Sequence, residues 1–329
     1  STVAMVESSE QEPPVVQEVQ TVSEEALPDE LDELAEVLEP WTGDFDGMIE
    51  RRVIRALVVY SKTFYFLDGA EQKGATYEAL KLFEERINKE LGTGHLKVHV
   101  LIVPVSRDRL LPALAEGRGD IAASNLTVTE ERVKLVDFSD PVVTGVSEVV
   151  VTGPGVPAPS SLEDLSGKEI LVRPSSSYHE SLRLLNAILA RRSIAPITLT
   201  PAEEYLEDED LLEMVNAGLI PMVVVDSHKA EFWAQIFDGI TVHPDIAVAT
   251  SGEIAWAFRK DSPKLAEAVN AFVKENKVGT LMGNILVKRY LRNASYIKKS
   301  LSDNEMEKFH RTVSFFQKYA AMYDFDWLM

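Results

Sequence analysis

The stretch G-D-I-A-A-S-N-L-T-V-T-E-E-R-V-K-L-V-D-F-S-D-P, residues 119–141, decides the fold of this chain of 329 residues. Its apolar part, Ile121–Ala123, predicts a short strand buried on both faces. Residues 124–127 then place hydroxyl and amide groups where the strand ends, and Thr129 followed by two acids predicts the start of a short helix. Because ligands of open α/β sheets sit outside the carboxyl ends of strands, we expect a binding site here.

Arg132 is the candidate anchor of this site. It lies on the first turn of the predicted helix and can face back toward the strand end, where a guanidinium group matches a carboxylate in a bidentate fork. The alternative from spacing alone is a surface ion pair with Asp137 or Glu131. Glu130 and Glu131 are better explained by the helix dipole than as a catalytic pair, because adjacent helix residues do not face each other.

The spacing in this stretch resembles the signature of type 2 periplasmic solute-binding proteins of the amino-acid-binding class. That signature reads G-x-x-D-x-x-x-x-x-x-[ST]-x-T-x-x-R-x-x-x-x-x-F-[ST]-x-P, and the residues in register are Gly117, Asp120, Thr127, Thr129, Arg132, Phe138, Ser139 and Pro141. The resemblance covers residues 53–291. It implies an α/β fold of two lobes with an interlobe cleft, followed here by a C-terminal helical extension.

The order of predicted elements agrees with such a fold, because apolar strand runs alternate with amphipathic helices along the chain. The domains that we expect are an acidic flexible N-terminal segment over 1–50, a first lobe from 51–147 and 251–295, a second lobe over 148–250, and a helical linker over 296–329. Two chain crossings, near 143–150 and near 248–253, would form the hinge between the lobes.

Composition excludes several classes of protein. The first 50 residues hold 15 acids and no Lys or Arg, out of a net charge of −20, so this segment would be repelled by nucleic acid and by anionic lipid. No uncharged apolar window approaches the ~18 residues of a membrane-spanning helix. The chain has no cysteine, and its His residues do not fall at metal-binding spacing. We therefore expect no nucleic-acid partner, no metal and no cofactor.

Several segments are more closely similar to the regulatory half of the membrane-bound lytic transglycosylase F family. They are residues 74–78, 226–227, 243–245 and 316–320. In that family the module precedes a peptidoglycan-cleaving domain whose catalytic Glu lies in a Q-E-S motif, and the present chain contains no such motif. The resemblance implies a periplasmic sensor module without catalytic residues. An outer-membrane lipid anchor and contact with peptidoglycan would come through the parent protein, whose transglycosylase domain would follow residue 329.

The resemblance also implies a set of ligand-binding residues. Arg132 would hold an α-carboxylate, and Asp226 would accept hydrogen bonds from an α-ammonium group. The other members are Tyr60, Phe64 and Tyr65 as alternatives for an aromatic wall, and Asn125, Thr127, Ser175 and Ser177 as hydrogen-bonding groups. The implied ligand is zwitterionic, either an amino acid or a muropeptide stem peptide.

Two positions depart from the family pattern and bear on the identity of the ligand. Pro174–Ser177 stands where many relatives have a Gly-Thr pair, and Thr76 replaces the usual Asp. The three serines can alternatively form a helix N-cap, and Asp226 can alternatively cap the helix that follows it.

Two other functions stay open at the level of sequence. One is a free amino-acid-binding protein of an ABC transporter, which would lack the segment 302–329. The other is a dehydratase on the same fold, which would need a buried acid inside the cleft.

Overall fold

The computed structural model describes residues 39–295 and residue 297. Residues 1–38 of the predicted flexible segment and nearly all of the predicted C-terminal linker therefore lie outside the described residues. The end of the predicted flexible segment is instead ordered, because Phe45–Glu50 is helical and Met48 is fully buried in the core of the first lobe. Within the described part, no helix is long and apolar enough to cross a bilayer.

The first half of the chain builds a sheet with helices packed against it. Its strands are β1 (Val53–Val58), β2 (Phe66–Asp68), β3 (Glu71–Lys73), β4 (His99–Pro104), β5 (Ile121–Thr127) and β6 (Asp137–Phe138). Its helices are α1 (Phe45–Glu50), α2 (Ala75–Leu91), α3 (Leu110–Ala115) and α4 (Glu130–Val133), with a 3₁₀ turn at Arg107–Arg109. β1 pairs in parallel with β4 and with β5, as the alternation of strands and helices predicted.

The rest of the chain crosses to the second lobe and returns. Its strands are β7 (Val143–Thr152), β8 (Glu169–Val172), β9 (Thr198–Pro201), β10 (Met222–Asp226) and β11 (Thr241–Phe258). Its helices are α5 (Ser177–Arg191), α6 (Asp208–Asn216), α7 (Ser227–Trp233), α8 (Pro263–Asn276) and α9 (Leu281–Val287), with a 3₁₀ turn at Leu162–Leu165 and a π-helical turn at Lys288–Arg292.

The two long strands β7 and β11 carry the chain between the lobes. They pair with each other, so that one hydrogen-bonded ladder runs in the order β10-β7-β11-β5-β1-β4. Their register shifts repeatedly between His243 and Glu253. Gly252 lies so close to β7 that a Cβ atom there would stand 3.0 Å from the carbonyl oxygen of Val146. The sequence predicted the crossings but not this continuous pairing, because the irregular part of β11 has no alternating apolar pattern.

Buried apolar side chains nevertheless form separate cores on the two sides of the crossing. The second lobe has one core, which includes Val150, Leu182 and Trp233. The first lobe has a core around Phe83 and Phe272, whose ring centroids lie 5.4 Å apart, and a smaller cluster under the other face of its sheet. The predicted two-lobed α/β fold is confirmed.

Asp120, a residue of the signature stretch, organises the first lobe and is fully buried. Its Oδ1 lies 3.0 Å from Nη2 of Arg55 and 3.4 Å from Nη2 of Arg259. Its Oδ2 accepts the backbone N–H of Arg55 at 2.8 Å and also a hydrogen bond from Arg51. One carboxylate therefore holds three guanidinium groups together beside the start of β5, and this role is structural.

We expect Asp120→Ala to lower the free energy of unfolding by about 3 kcal/mol or more, because it leaves buried guanidinium groups without their counter-charge. Chemical denaturation measures this change. The matched control is Glu116→Ala, since Glu116 also pairs with two arginines but its side chain is 46% exposed, and it should cost no more than about 1 kcal/mol. Equal losses in the two variants would contradict the structural role of Asp120.

Candidate ligand-binding cleft

Arg132 spans the cleft between the two lobes and is 7% exposed. The hydroxyl of Thr129 accepts the backbone N–H of Arg132 at 3.2 Å, so α4 begins where the sequence predicted. The guanidinium group donates to the carbonyl oxygen of Thr127 at 2.8 Å and, across the cleft, to that of Ser175 at 2.9 Å. Its Nε lies 3.9 Å from a carboxylate oxygen of Glu180 in the second lobe. Burial lowers the pKa of Arg132, although the Glu180 charge opposes this shift.

Asp226 ends β10 and faces the first lobe, with 1% of its surface exposed. Its Oδ2 accepts a hydrogen bond from Nδ2 of Asn125 at 3.1 Å and lies 3.2 Å from Nζ of Lys229. Its Oδ1 is buried without a hydrogen-bond partner. The side chain makes no capping hydrogen bond to α7, so the alternative of a helix cap is not what the structure shows. Asn125 reaches Asp226 from a left-handed backbone conformation with φ +51°, which Asn tolerates better than most residues.

The predicted hydroxyl residues also meet at the cleft. The hydroxyl of Ser177 donates to that of Thr127 at 3.3 Å, a contact between the lobes. Ser175 donates its backbone N–H to Glu204 at 3.0 Å, and its hydroxyl also bonds to Glu204. The N-cap of α5 is Ser176, whose hydroxyl accepts a backbone N–H of the first turn. The capping role and the cleft contacts therefore fall on different serines.

The three predicted aromatic residues occupy different places. Tyr65 belongs to the first-lobe core, and its ring centroid lies 5.2 Å from that of Tyr60, which is 51% exposed. Phe64 lines an apolar cavity of about 120 Å³ together with Asn125 and His228. Both ring nitrogens of His228 are buried without a hydrogen-bond partner, and burial lowers the pKa of this side chain. Of the three aromatic residues, Phe64 therefore shares a cavity with a predicted site residue.

A series of buried charges beside Asp226 links the lobes, and sequence reasoning missed most of it. We call it the interlobe charge chain; its members are Arg107, Glu207, Arg173, Asp208, Lys229 and Asp226. Nε of Arg107, in the first lobe, donates to Glu207 at 3.1 Å. Asp208 accepts from Nη2 of Arg173 at 2.6 Å and from Nζ of Lys229 at 2.5 Å. Burial acts to raise the pKa of Asp208, but Lys229 and Arg173 hold it far below its usual range.

The sequence signal that could have revealed the interlobe charge chain is the acidic run E-D-E-D at residues 207–210, although solvent-exposed acids at a helix start are the ordinary explanation of such a run. Three of these four acids, Glu207, Asp208 and Glu209, are buried in the structure. Glu209 accepts the backbone N–H of Lys62 at 2.6 Å, and Nζ of Lys62 donates to Asp210 at 2.9 Å. The acidic side chains at the start of α6 therefore accept hydrogen bonds from cationic side chains and a backbone N–H group of the first lobe. Among the described residues, no three His, Asp or Glu side chains come together as a metal site.

Comparison with known proteins agrees with this geometry. Residues 59–290 match the family profile described as bacterial extracellular solute-binding proteins, family 3. The chain belongs to this family. The match covers well over half of the sequence. It includes the end of β5, both Arg132 and Asp226, and the two crossing strands β7 and β11.

Two proteins similar in sequence to this chain are membrane-bound lytic murein transglycosylases F. The protein of Pseudomonas fluorescens strain Pf-5 is 30% identical over 239 residues, covering 70% of this chain and 45% of the relative. That of Saccharophagus degradans is 29% identical over 230 residues, covering 68% and 42%. The chain therefore spans less than half the length of these two relatives.

Among solved structures, an ancestral arginine-binding protein bound to arginine is similar to this family member with a TM-score of 0.57 and 25% identity. The similarity covers 73% of this chain and 98% of that one. The two-lobed solute-binding fold is thus matched over nearly the whole of a single binding protein.

The stability of the fold should depend on pH through Glu209. Burial, and to a smaller extent the neighbouring charge of Glu207, raises the pKa of Glu209 from 4.5 to about 7. The protonated group contributes stability that is fully present below pH ~4.5 and is lost as the pH rises through ~7. Glu209→Gln imitates the protonated acid and keeps an acceptor for the N–H of Lys62. We expect its free energy of unfolding, relative to the parent, to rise between pH 4.5 and pH 8 by up to about 3 kcal/mol.

Denaturant titrations across this pH range measure the effect. Glu213→Gln is the control, since Glu213 lies on the same helix and contacts Lys62 but is exposed, and it should leave the pH profile unchanged. Parallel profiles for Glu209→Gln and the parent would show that Glu209 ionises normally.

Proposed function

We propose that this chain is a ligand-binding sensor module that closes its two lobes on a small zwitterionic ligand, either an amino acid or a muropeptide stem peptide. The observation that carries the proposal is the placement of Arg132 and Asp226 on opposite sides of one cleft. Arg132 belongs to the first lobe and bonds to the second, whereas Asp226 belongs to the second and bonds to the first.

The chemistry of the two residues fits the two ends of an α-amino acid. Two hydrogen bonds of Arg132 go to main-chain carbonyl oxygens, and a guanidinium group carries five N–H donors, so a carboxylate can bind in addition. Asp226 keeps one buried oxygen without a partner, which is costly until a donor reaches it. A ligand that satisfies both residues at once binds the closed state more tightly than the open state, which is the requirement for closure.

The role in a larger protein is also a proposal. Its support is the similarity to membrane-bound lytic murein transglycosylases F, which this chain matches over less than half of their length. On this proposal residues 51–147 with 251–295 and residues 148–250 are the two lobes, the part of 1–50 before α1 is a flexible tether and 296–329 leads to a transglycosylase domain. The module would work in the periplasm, near peptidoglycan and with an outer-membrane lipid anchor on the parent, and would report on cell-wall turnover.

The free binding protein of an ABC transporter remains the alternative with the same site chemistry, since a solved relative of similar fold binds arginine. Dehydratase activity on this fold is favoured by one observation. Glu148, on β7, is 3% exposed, and burial raises the pKa of its carboxyl group, as a general acid requires. Conversion of a hydroxylated cyclohexadienyl carboxylate to an aromatic product, with loss of water and carbon dioxide and measured by absorbance, would identify the enzyme, whereas binding without turnover favours the sensor or the transporter protein.

We expect Arg132→Ala to weaken the binding of an α-amino acid or stem peptide by about 30-fold or more, because a desolvated charge pair is truncated. Calorimetric titration of the unsubstituted chain, called the parent in the experiments below, with the common L-amino acids and with L-alanyl-D-glutamic acid first identifies a probe that binds. The same probe is then titrated into the variant, and its unfolding midpoint is measured without ligand.

The matched control is Arg109→Ala, since Arg109 is an exposed arginine of the first lobe that pairs with Glu116. It should bind the probe within twofold of the parent. An Arg132→Ala variant that binds the probe as tightly as the parent would remove Arg132 from the site, and a parent that binds none of the probes would overturn the proposed function.

A further inference from the structure

A cavity of about 330 Å³ lies where the crossing strands meet the cleft. We call it the hinge cavity; among the residues that line it are Thr127, Thr129, Glu148, Ser181, Asp226 and Glu253. It thus shares Thr127 and Asp226 with the predicted ligand set, while Glu148 belongs to no motif that the sequence singled out.

Glu148 and Asp226 are directly opposite each other in the antiparallel pair formed by β7 and β10. Side chains at opposed positions lie on the same face with Cβ atoms about 5 Å apart. Both are buried, and each has one oxygen without a hydrogen-bond partner, Oε2 of Glu148 and Oδ1 of Asp226. Two residues that each hold a buried, unpartnered carboxylate oxygen therefore line one cavity.

The charges around this pair do not balance. Lys229 lies 3.2 Å from Asp226, but it also pairs with Asp208 at 2.5 Å, so its one positive charge is already shared by two carboxylates before Glu148 is counted. Arg132 is the other nearby cation, and it is matched by Glu180 across the cleft. The hydroxyl groups of Ser177 and Ser181 form hydrogen bonds with the carboxylate of Glu148 but carry no charge. Like charges at directly opposed positions destabilise a sheet, so one further cation in the cavity would relieve the pair.

We infer that Glu148 and Asp226 together bind the ammonium group of the ligand through their two unpartnered oxygens. The inference rests on the proposed function and adds Glu148 to it. A primary ammonium carries three N–H donors, enough for both carboxylates and one hydroxyl or carbonyl oxygen of the cavity. An acylated nitrogen carries no charge and a single donor, so it cannot serve both. The ligand class is therefore a free amino acid, or a stem peptide with a free amino end, rather than an N-acylated muropeptide.

The first experiment compares free and blocked amines in the parent protein. The probes are L-arginine, L-glutamine and L-alanyl-D-glutamic acid, each titrated calorimetrically beside its Nα-acetyl derivative. We expect acetylation to weaken the binding of any probe that binds by about 30-fold or more, because it removes the charge from a buried pair. An acetylated probe that binds as tightly as its free form would overturn the inference, and with it the zwitterionic character of the ligand in the proposed function.

The second experiment uses Glu148→Gln, which keeps the shape and the hydrogen-bonding capacity of the side chain but removes its charge. It should weaken the binding of the probe with a free amine about tenfold or more and leave the affinity for the acetylated probe unchanged. Glu253→Gln is the matched control, because Glu253 is an exposed acid on the rim of the same cavity, and it should bind within twofold of the parent.

The remaining outcomes distinguish failure of the role of Glu148 from failure of the proposed function. Unchanged affinity in Glu148→Gln, together with loss of binding in Arg132→Ala, would overturn the role of Glu148 alone. Binding of none of the probes would overturn this inference and the proposed function together. Heat from calcium chloride that appears without a probe and disappears in Glu148→Gln would also overturn it, since the pair would then be an inorganic cation site.

Discussion

The interlobe charge chain is the constraint on which the closed arrangement of this protein depends. A charge removed from water is tolerated when a partner of opposite sign and hydrogen bonds replace the solvent. Glu207 finds that partner in Arg107 of the other lobe, and Asp226 takes a hydrogen bond from Asn125, again across the cleft. Opening the lobes would return the outer members of the chain to water while Arg173, Asp208 and Lys229 keep their pairing within the second lobe.

On the proposed function, this arrangement leaves specific groups for a ligand to satisfy. Part of the interlobe contact is already satisfied by the protein itself, whereas one carboxylate oxygen each of Glu148 and Asp226 remains without a hydrogen-bond partner, and both residues line one cavity. A ligand that satisfies these groups in the closed state would favour closure, since only a difference in affinity between the two states shifts their populations.

The sequence predicted what depends on local pattern. The end of β5, the cap at Thr129 and the buried strand before Asp226 all follow from short-range spacing, and the structure shows each of them. Spacing alone left Arg132 open between an inward position and a surface ion pair, and the structure shows it buried and bonded to the carbonyl oxygen of Thr127. Sequence reasoning missed what depends on pairing between distant segments. Glu148 stands as a single acid before a run of valines, and its importance appears when β10 places Asp226 opposite it.

The central claim, closure of the lobes on a small zwitterion, is tested most directly by the distance between them. The chain has no cysteine, so Asp108→Cys with Tyr205→Cys places two spin labels on exposed positions close in sequence to Arg107 and Glu207. Pulsed dipolar spectroscopy then gives the distribution of distances with and without a probe that binds calorimetrically. The account predicts a broad distribution that becomes shorter and narrower with the probe, and no such change when Arg132→Ala is added. An unchanged distribution at saturating probe would contradict it.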